Sequence, residues 1–120
     1  MRALVVDDSS TMRMILRNVL RKKGFEVLEG KDGFDAINVL KKSGPVELML
    51  VDWNMPEMNG FDLLCHVRGD RQYDNTKIMM VTTETAMSGI TRALESGANE
   101  YIMKPFTPDA VLEKLSILGW

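Results

Sequence analysis

Residues 3–28 read ALVVDDSSTMRMILRNVLRKKGFEVL, and their pattern decides the fold. Ala3–Val6 is a short apolar run without polar alternation, as expected of a strand covered on both faces. Met12, Ile15, Leu16, Val19 and Leu20 then recur at i, i+3, i+4, i+7 and i+8, which is one face of a helix. Ser9 or Ser10 can cap its start, and Gly24 can end it after Arg21-Lys22-Lys23. The next apolar run is Phe25–Leu28, where Glu26 marks an edge strand. A strand, a helix and a second strand at this spacing point to parallel pairing through a right-handed crossover.

The same alternation continues along the chain. Further apolar runs lie at Leu48–Val51, Ile78–Val81 and Tyr101–Met103. Phe34, Ile37 and Leu40 mark a second helix stopped by Gly44-Pro45, and Phe61, Leu64 and Val67 a third stopped near Gly69. Ile90, Ala93 and Leu94 mark a fourth, stopped at Gly97. Val111, Leu112, Leu115 and Leu118 mark a fifth, capped by Thr107 with Pro108 in its first turn. The expected fold is α/β: a flavodoxin-like, doubly wound, five-stranded parallel sheet with five helices in three α/β/α layers. Periodicity supplies the class; five units favour the strand order 2-1-3-4-5.

Composition bounds the rest. The 120 residues suit one domain, spanning 1–120. With 45% hydrophobic and 27% charged residues the chain is globular rather than disordered. A net charge of −2 gives no general attraction to nucleic acid or to an anionic membrane. One cysteine, Cys65, and one histidine, His66, exclude an internal disulfide, a Cys-type zinc site and a histidine cluster. The two are adjacent, so on a helix they point in different directions and make no catalytic pair. No apolar run approaches the ~20 residues that span a bilayer. The N-terminus turns acidic too soon for a signal peptide. A cytoplasmic monomer is expected. Met12, Met49 and Met80 read as core filling, and Arg13, Arg17 and Arg21-Lys22-Lys23 as a solvated helix face.

Function in open α/β sheets gathers beyond the carboxyl ends of the strands. The first run ends in Asp7 and Asp8, the third in Asp52, the fourth in Thr82 and Thr83, and the fifth at Lys104-Pro105. If the first and third strands are neighbours, three carboxylates converge. Two like charges ~4 Å apart repel by roughly 4 kcal/mol at an effective dielectric of ~20. Either some carboxyls keep their protons or a cation sits among them. Oxygen ligands favour a hard cation, foremost Mg2+, which retains waters and readily shares its shell with a phosphate. Lys104 and Thr82 add an ammonium and a hydroxyl at the same rim. Such a group suits in-line phosphoryl transfer to a carboxylate.

Val5-Val6-Asp7-Asp8-Ser9, Val51-Asp52-Trp53-Asn54-Met55-Pro56, Gly60, Met80-Val81-Thr82 and Lys104-Pro105-Phe106 together resemble a response-regulator receiver domain over the whole chain. Asp52-Trp53-Asn54-Met55-Pro56 with Tyr101 is similar to the family's stand-alone chemotaxis members. The resemblance implies that Asp52 is the phosphoacceptor. It implies one Mg2+ held by Asp7, Asp8, Asp52 and the backbone carbonyl of Asn54. Lys104 would contact the phosphoryl group, aimed by a cis Lys104-Pro105 bond. Thr82 would hydrogen-bond the phosphoryl group after transfer, letting Tyr101 swing inward. Asn54 and Glu84 would tune hydrolysis toward fast self-dephosphorylation. A face built from the fourth helix, fifth strand and fifth helix would then change shape, with Met87, Ile90, Leu94, Ala98, Tyr101, Met103 and Lys114 as its apolar and basic positions. Ala86 and Met87 stand where the best-known chemotaxis regulators carry lysines.

The implied donor is a phosphohistidine on a chemotaxis-type sensor histidine kinase. The implied target is the flagellar motor switch, and a separate phosphatase is a possible third partner. Nothing after the fifth helix provides an output domain, so binding to another protein is the expected output. Within this reading a phosphorelay shuttle or a non-flagellar regulator is the alternative. An aspartate-nucleophile phosphatase uses a similar strand-end Asp and Mg2+, but usually needs a second carboxylate two residues on, where Asn54 stands. A flavin module on the same fold would need a Ser/Thr/Gly-rich phosphate loop, where Asp7-Asp8-Ser9-Ser10-Thr11 carries two repelling acids.

Overall fold

The computed structural model describes residues 1–120 apart from the side chains of Glu84 and Thr85. Its elements follow the alternation of the sequence. They are β1 (Arg2–Val6), α1 (Ser10–Lys22), β2 (Glu26–Gly30), α2 (Gly33–Ser43), β3 (Leu48–Asp52), α3 (Gly60–Arg68), β4 (Lys77–Thr82), α4 (Ile90–Glu95), β5 (Glu100–Met103) and α5 (Pro108–Ile117). Short 3-10 turns at Arg71–Tyr73 and Glu84–Gly89 precede β4 and α4. The strands form one parallel sheet in the order β2-β1-β3-β4-β5, the expected flavodoxin-like order. No helix among the described residues is long and apolar enough to cross a membrane.

Each strand sends alternate residues to opposite faces, so the sheet supports two cores. Leu4, Val6, Met49, Val51, Ile78 and Met80 meet α2, α3 and α4 on one side. On the other, Val5, Leu48, Leu50, Met79, Val81 and Ile102 meet α1 and α5. Burial of each Leu, Ile, Val or Met contributes roughly 1.5–3 kcal/mol before entropy is counted. Every residue of β3 is buried, which explains its unbroken apolar run.

Helix ends follow local chemistry. The hydroxyl of Ser9 accepts from the Met12 amide at 3.2 Å, and that of Thr107 from the Ala110 amide at 3.1 Å. Gly24 (φ 101°) and Gly97 (φ 114°) take left-handed backbone just past α1 and α4.

Four expectations need correction. On α2 the buried face is Gly33, Ala36 and Leu40, whereas Phe34 is 51% exposed. The helix lies so close to β2 that a Cβ on Gly30 would come 3.1 Å from the Ala36 Cα, so small residues face the sheet. Ile15 of α1 and Leu112 of α5 are also exposed, flanking a groove between these helices with Lys22 and Lys23 at its rim. Phe25 lies ahead of β2, buried with its ring edge-on to Trp120 at 5.2 Å. Finally, Arg13 and Arg17 are not a solvated face: both pair with Glu29 of β2, at 3.2 and 2.9 Å.

Candidate functional site at the carboxyl ends of the strands

Register brings the acidic residues together. Val6 pairs with Val51, so Asp7 and Asp52 are the next residues along two neighbouring strands. Asp7 and Asp52 are buried and Asp8 is exposed. One carboxylate oxygen from each lies within 4.8 Å of the others. β5 ends at Met103 opposite Thr82, and the Lys104 amide donates to the Thr82 carbonyl. The Lys104–Pro105 bond is cis, as expected. From there the Lys104 ammonium donates to Asp52 Oδ1 at 3.1 Å and to Asp7 Oδ2 at 3.3 Å. The other Asp7 oxygen accepts from the Ser9 amide at 2.9 Å.

Burial and the neighbouring Asp7 push the Asp52 carboxyl up to about 6, against the opposing pull of Lys104. Burial pushes Lys104 down, but its hydrogen bond and charge interaction with Asp52, reinforced by Asp7, prevail and the net shift is upward. Three carboxyls share one lysine, so full ionisation leaves negative charge unbalanced. An all-oxygen donor set open to solvent through Asp8 fits a hard dication that keeps part of its water shell.

The other expected residues divide. Thr82 is buried at the end of β4, and its hydroxyl donates to the Thr83 carbonyl at 3.3 Å rather than to Asp52. Asn54 is exposed in the loop after β3. The side chain of Glu84 lies outside the described residues. Tyr101 is half-buried beneath the Lys114 ammonium, 4.7 Å from its ring centre, and Lys114 is paired with Glu100 at 3.1 Å. Of the expected apolar face, Leu94 and Met103 are exposed and Met87 is half-buried. Ile90, at the start of α4, and Ala98, in the loop between α4 and β5, are both buried in the core below this face. Cys65 and His66 are exposed on α3, away from the carboxylates in sequence and element.

Two supports of the site were not read from sequence. Trp53, next to Asp52, packs so tightly on Gly89 that a Cβ there would sit 2.5 Å from its ring, and Phe61 flanks it at 6.1 Å. Gly60 donates its amide to the Trp53 carbonyl at 2.8 Å, and a side chain at Gly60 would strike the Asp52 carbonyl. Gly60 stands in the motif that carries the family resemblance, but its reason is steric and needs coordinates.

Carboxylates and a lysine gathered past the strand ends, at the switch in strand order, define a doubly wound α/β protein with an acidic, cation-ready crevice. Comparison with known proteins supplies the family. The response regulator receiver domain family matches residues 3–116. The chemotaxis protein CheY homolog of Campylobacter jejuni is 48% identical over 99% of this chain and 93% of its own length. Chemotaxis protein CheY1 of Helicobacter pylori is 46% identical, over 98% and 96%. A structure of the Vibrio cholerae chemotaxis protein CheY4 superposes with a TM-score of 0.88 at 34% identity, covering 97% of this chain and 96% of that one. The chain belongs to the response regulator receiver domain family.

Proposed function

We propose that the chain, residues 1–120 as one receiver unit, is a phosphoacceptor switch of two-component chemotaxis signalling. One observation carries this reading: the Lys104 ammonium bridges Asp52 and Asp7, with Asp8 beside them, in a crevice at the strand ends. Asp52 is the phosphoacceptor. An oxygen of its carboxylate attacks the phosphorus of a phosphohistidine, an O–P bond forms as the N–P bond breaks, and the imidazole leaves with the electron pair and takes up a proton. Asp7, Asp8, Asp52 and the Asn54 carbonyl would hold one Mg2+, which when bound neutralises charge on the transferring oxygens. Lys104 is already beside Asp52 and needs a small shift to reach a phosphoryl oxygen. Thr82 must turn its hydroxyl from the Thr83 carbonyl to do the same, and that rotation frees space for Tyr101.

The phosphoryl group adds close to two negative charges and three acceptor oxygens. Lys104 responds, and the α4–β5–α5 face presents a changed surface through Met87, Leu94, Tyr101, Met103 and Lys114. The donor is a chemotaxis-type sensor histidine kinase, and the flagellar motor switch is the target. The chain is a cytoplasmic monomer with no turnover of an external substrate.

The test is labelling with acetyl phosphate or phosphoramidate, followed by intact mass. Wild type should gain one phosphoryl group when Mg2+ is present and none in chelator. Asp52→Asn should lose the label. Equal labelling of Asp52→Asn removes the acceptor assignment, and steady hydrolysis of an added phosphomonoester points to the phosphatase class instead.

A further inference from the structure

Arg13 lies outside the crevice, on the second turn of α1, and sends nothing into it. Its Nη1 donates to the backbone carbonyl of Asp7 at 2.7 Å, while its Nε donates to Glu29 Oε1 at 3.2 Å. Arg17 Nη1 holds the other Glu29 oxygen at 2.9 Å. The chain of contacts is Arg17 to Glu29 to Arg13 to the Asp7 carbonyl, and it joins α1, β2 and the turn after β1. Arg13 is 18% exposed and Glu29 31%, so the pair is shielded more than a surface ion pair.

The arrangement has a cost that packing does not explain. Among the described residues, no group accepts a hydrogen bond from the buried Arg17 Nε. A buried donor left unmade is unfavourable, and it persists when the same side chain does something else. Here Arg17 holds Glu29, and Glu29 fixes the plane of the Arg13 guanidinium. The short charge-assisted bond to the Asp7 carbonyl then sets the peptide between Asp7 and Asp8, the hinge from which both carboxylates project.

We propose that Arg13, braced by Glu29, is a positioning residue for the divalent-ion site. It acts through the Asp7 backbone, holding the Asp7–Asp8 turn so that its carboxylates face Asp52. The inference rests on the proposed ion site and adds a residue to it that touches neither ion nor phosphoryl group. Outer partners of metal ligands typically change affinity by about 10–100-fold. A backbone contact one step removed belongs at the low end.

The experiment is calorimetric titration of Mg2+ into the purified chain, with circular dichroism and urea unfolding on each variant. Arg13→Met keeps the stem and removes both donors. It should raise the Kd for Mg2+ about tenfold. Glu29→Gln keeps Arg13 but removes its charged brace, and should raise the Kd about two- to threefold. Arg13→Lys should recover part of the affinity through one ammonium donor. A folded Arg13→Met protein with wild-type Kd overturns the inference. Should Arg13→Met fail to fold, an unchanged Kd in folded Glu29→Gln overturns it equally. Absence of Mg2+ binding by wild type instead overturns the ion site itself, so the two failures are distinct.

Discussion

Asp52 ends a fully buried strand with a second carboxylate beside it, so its ionisation in the metal-free protein is opposed by both desolvation and repulsion. Its folded value of about 6 lies above the usual 3.8, so the folded state binds the proton more tightly than the unfolded chain. The stabilising contribution is complete below about pH 4 and is lost as pH rises through about 6, amounting to about 3 kcal/mol. In chelator, Asp52→Asn should therefore be about as stable as wild type near pH 4 and more stable by up to about 3 kcal/mol near pH 7.5. Urea unfolding across that range checks it, and a difference independent of pH removes the burial argument. These residues were legible in sequence because each is a polar residue closing an apolar run. Phe34 was not, because hydrophobicity alone does not say which way a helix faces.

Arg68, the last residue of α3, shows what elements need from one another. Its guanidinium donates to the carbonyls of Gly97, Tyr73 and Thr76 and to the Asn99 side chain, at 2.7–2.9 Å. One side chain thereby closes the end of α3, the 3-10 turn, the start of β4 and the α4–β5 loop. Arg68→Ala leaves several acceptors unmet and should cost about 2–4 kcal/mol of unfolding free energy, read by urea denaturation. A loss below about 0.5 kcal/mol would mean water replaces these bonds freely. The sequence offered an amphipathic helix stopped near Gly69 and no hint of this clamp, since its partners lie up to 31 residues away. The same limit applies to α2, whose packing face was set by the close approach of Gly30 and Ala36 and not by its largest side chains.

For the molecule as a whole, ion binding and folding are linked. A ligand at 100 times its Kd adds about 2.7 kcal/mol to stability. For a chain of this size that raises the melting temperature on the order of 10 °C. Mg2+ should produce such a rise in wild type by scanning calorimetry. Asp8→Asn should abolish it while melting slightly above wild type in chelator; the gain is small because Asp8 is exposed. A melting temperature in chelator that is the same for both proteins would mean that Asp8 does not crowd its neighbours.

The sequence by itself determined the five β–α units, their parallel pairing and the polar residues at each strand end, because periodicity and capping are local properties of the chain. Tertiary structure alone decided that the Lys104 ammonium bridges Asp7 and Asp52, and that Arg13 and Glu29 hold the Asp7 turn from behind. Those relations depend on strand register and helix approach, which bring residues far apart along the chain within hydrogen-bonding distance and leave no periodic trace in the sequence.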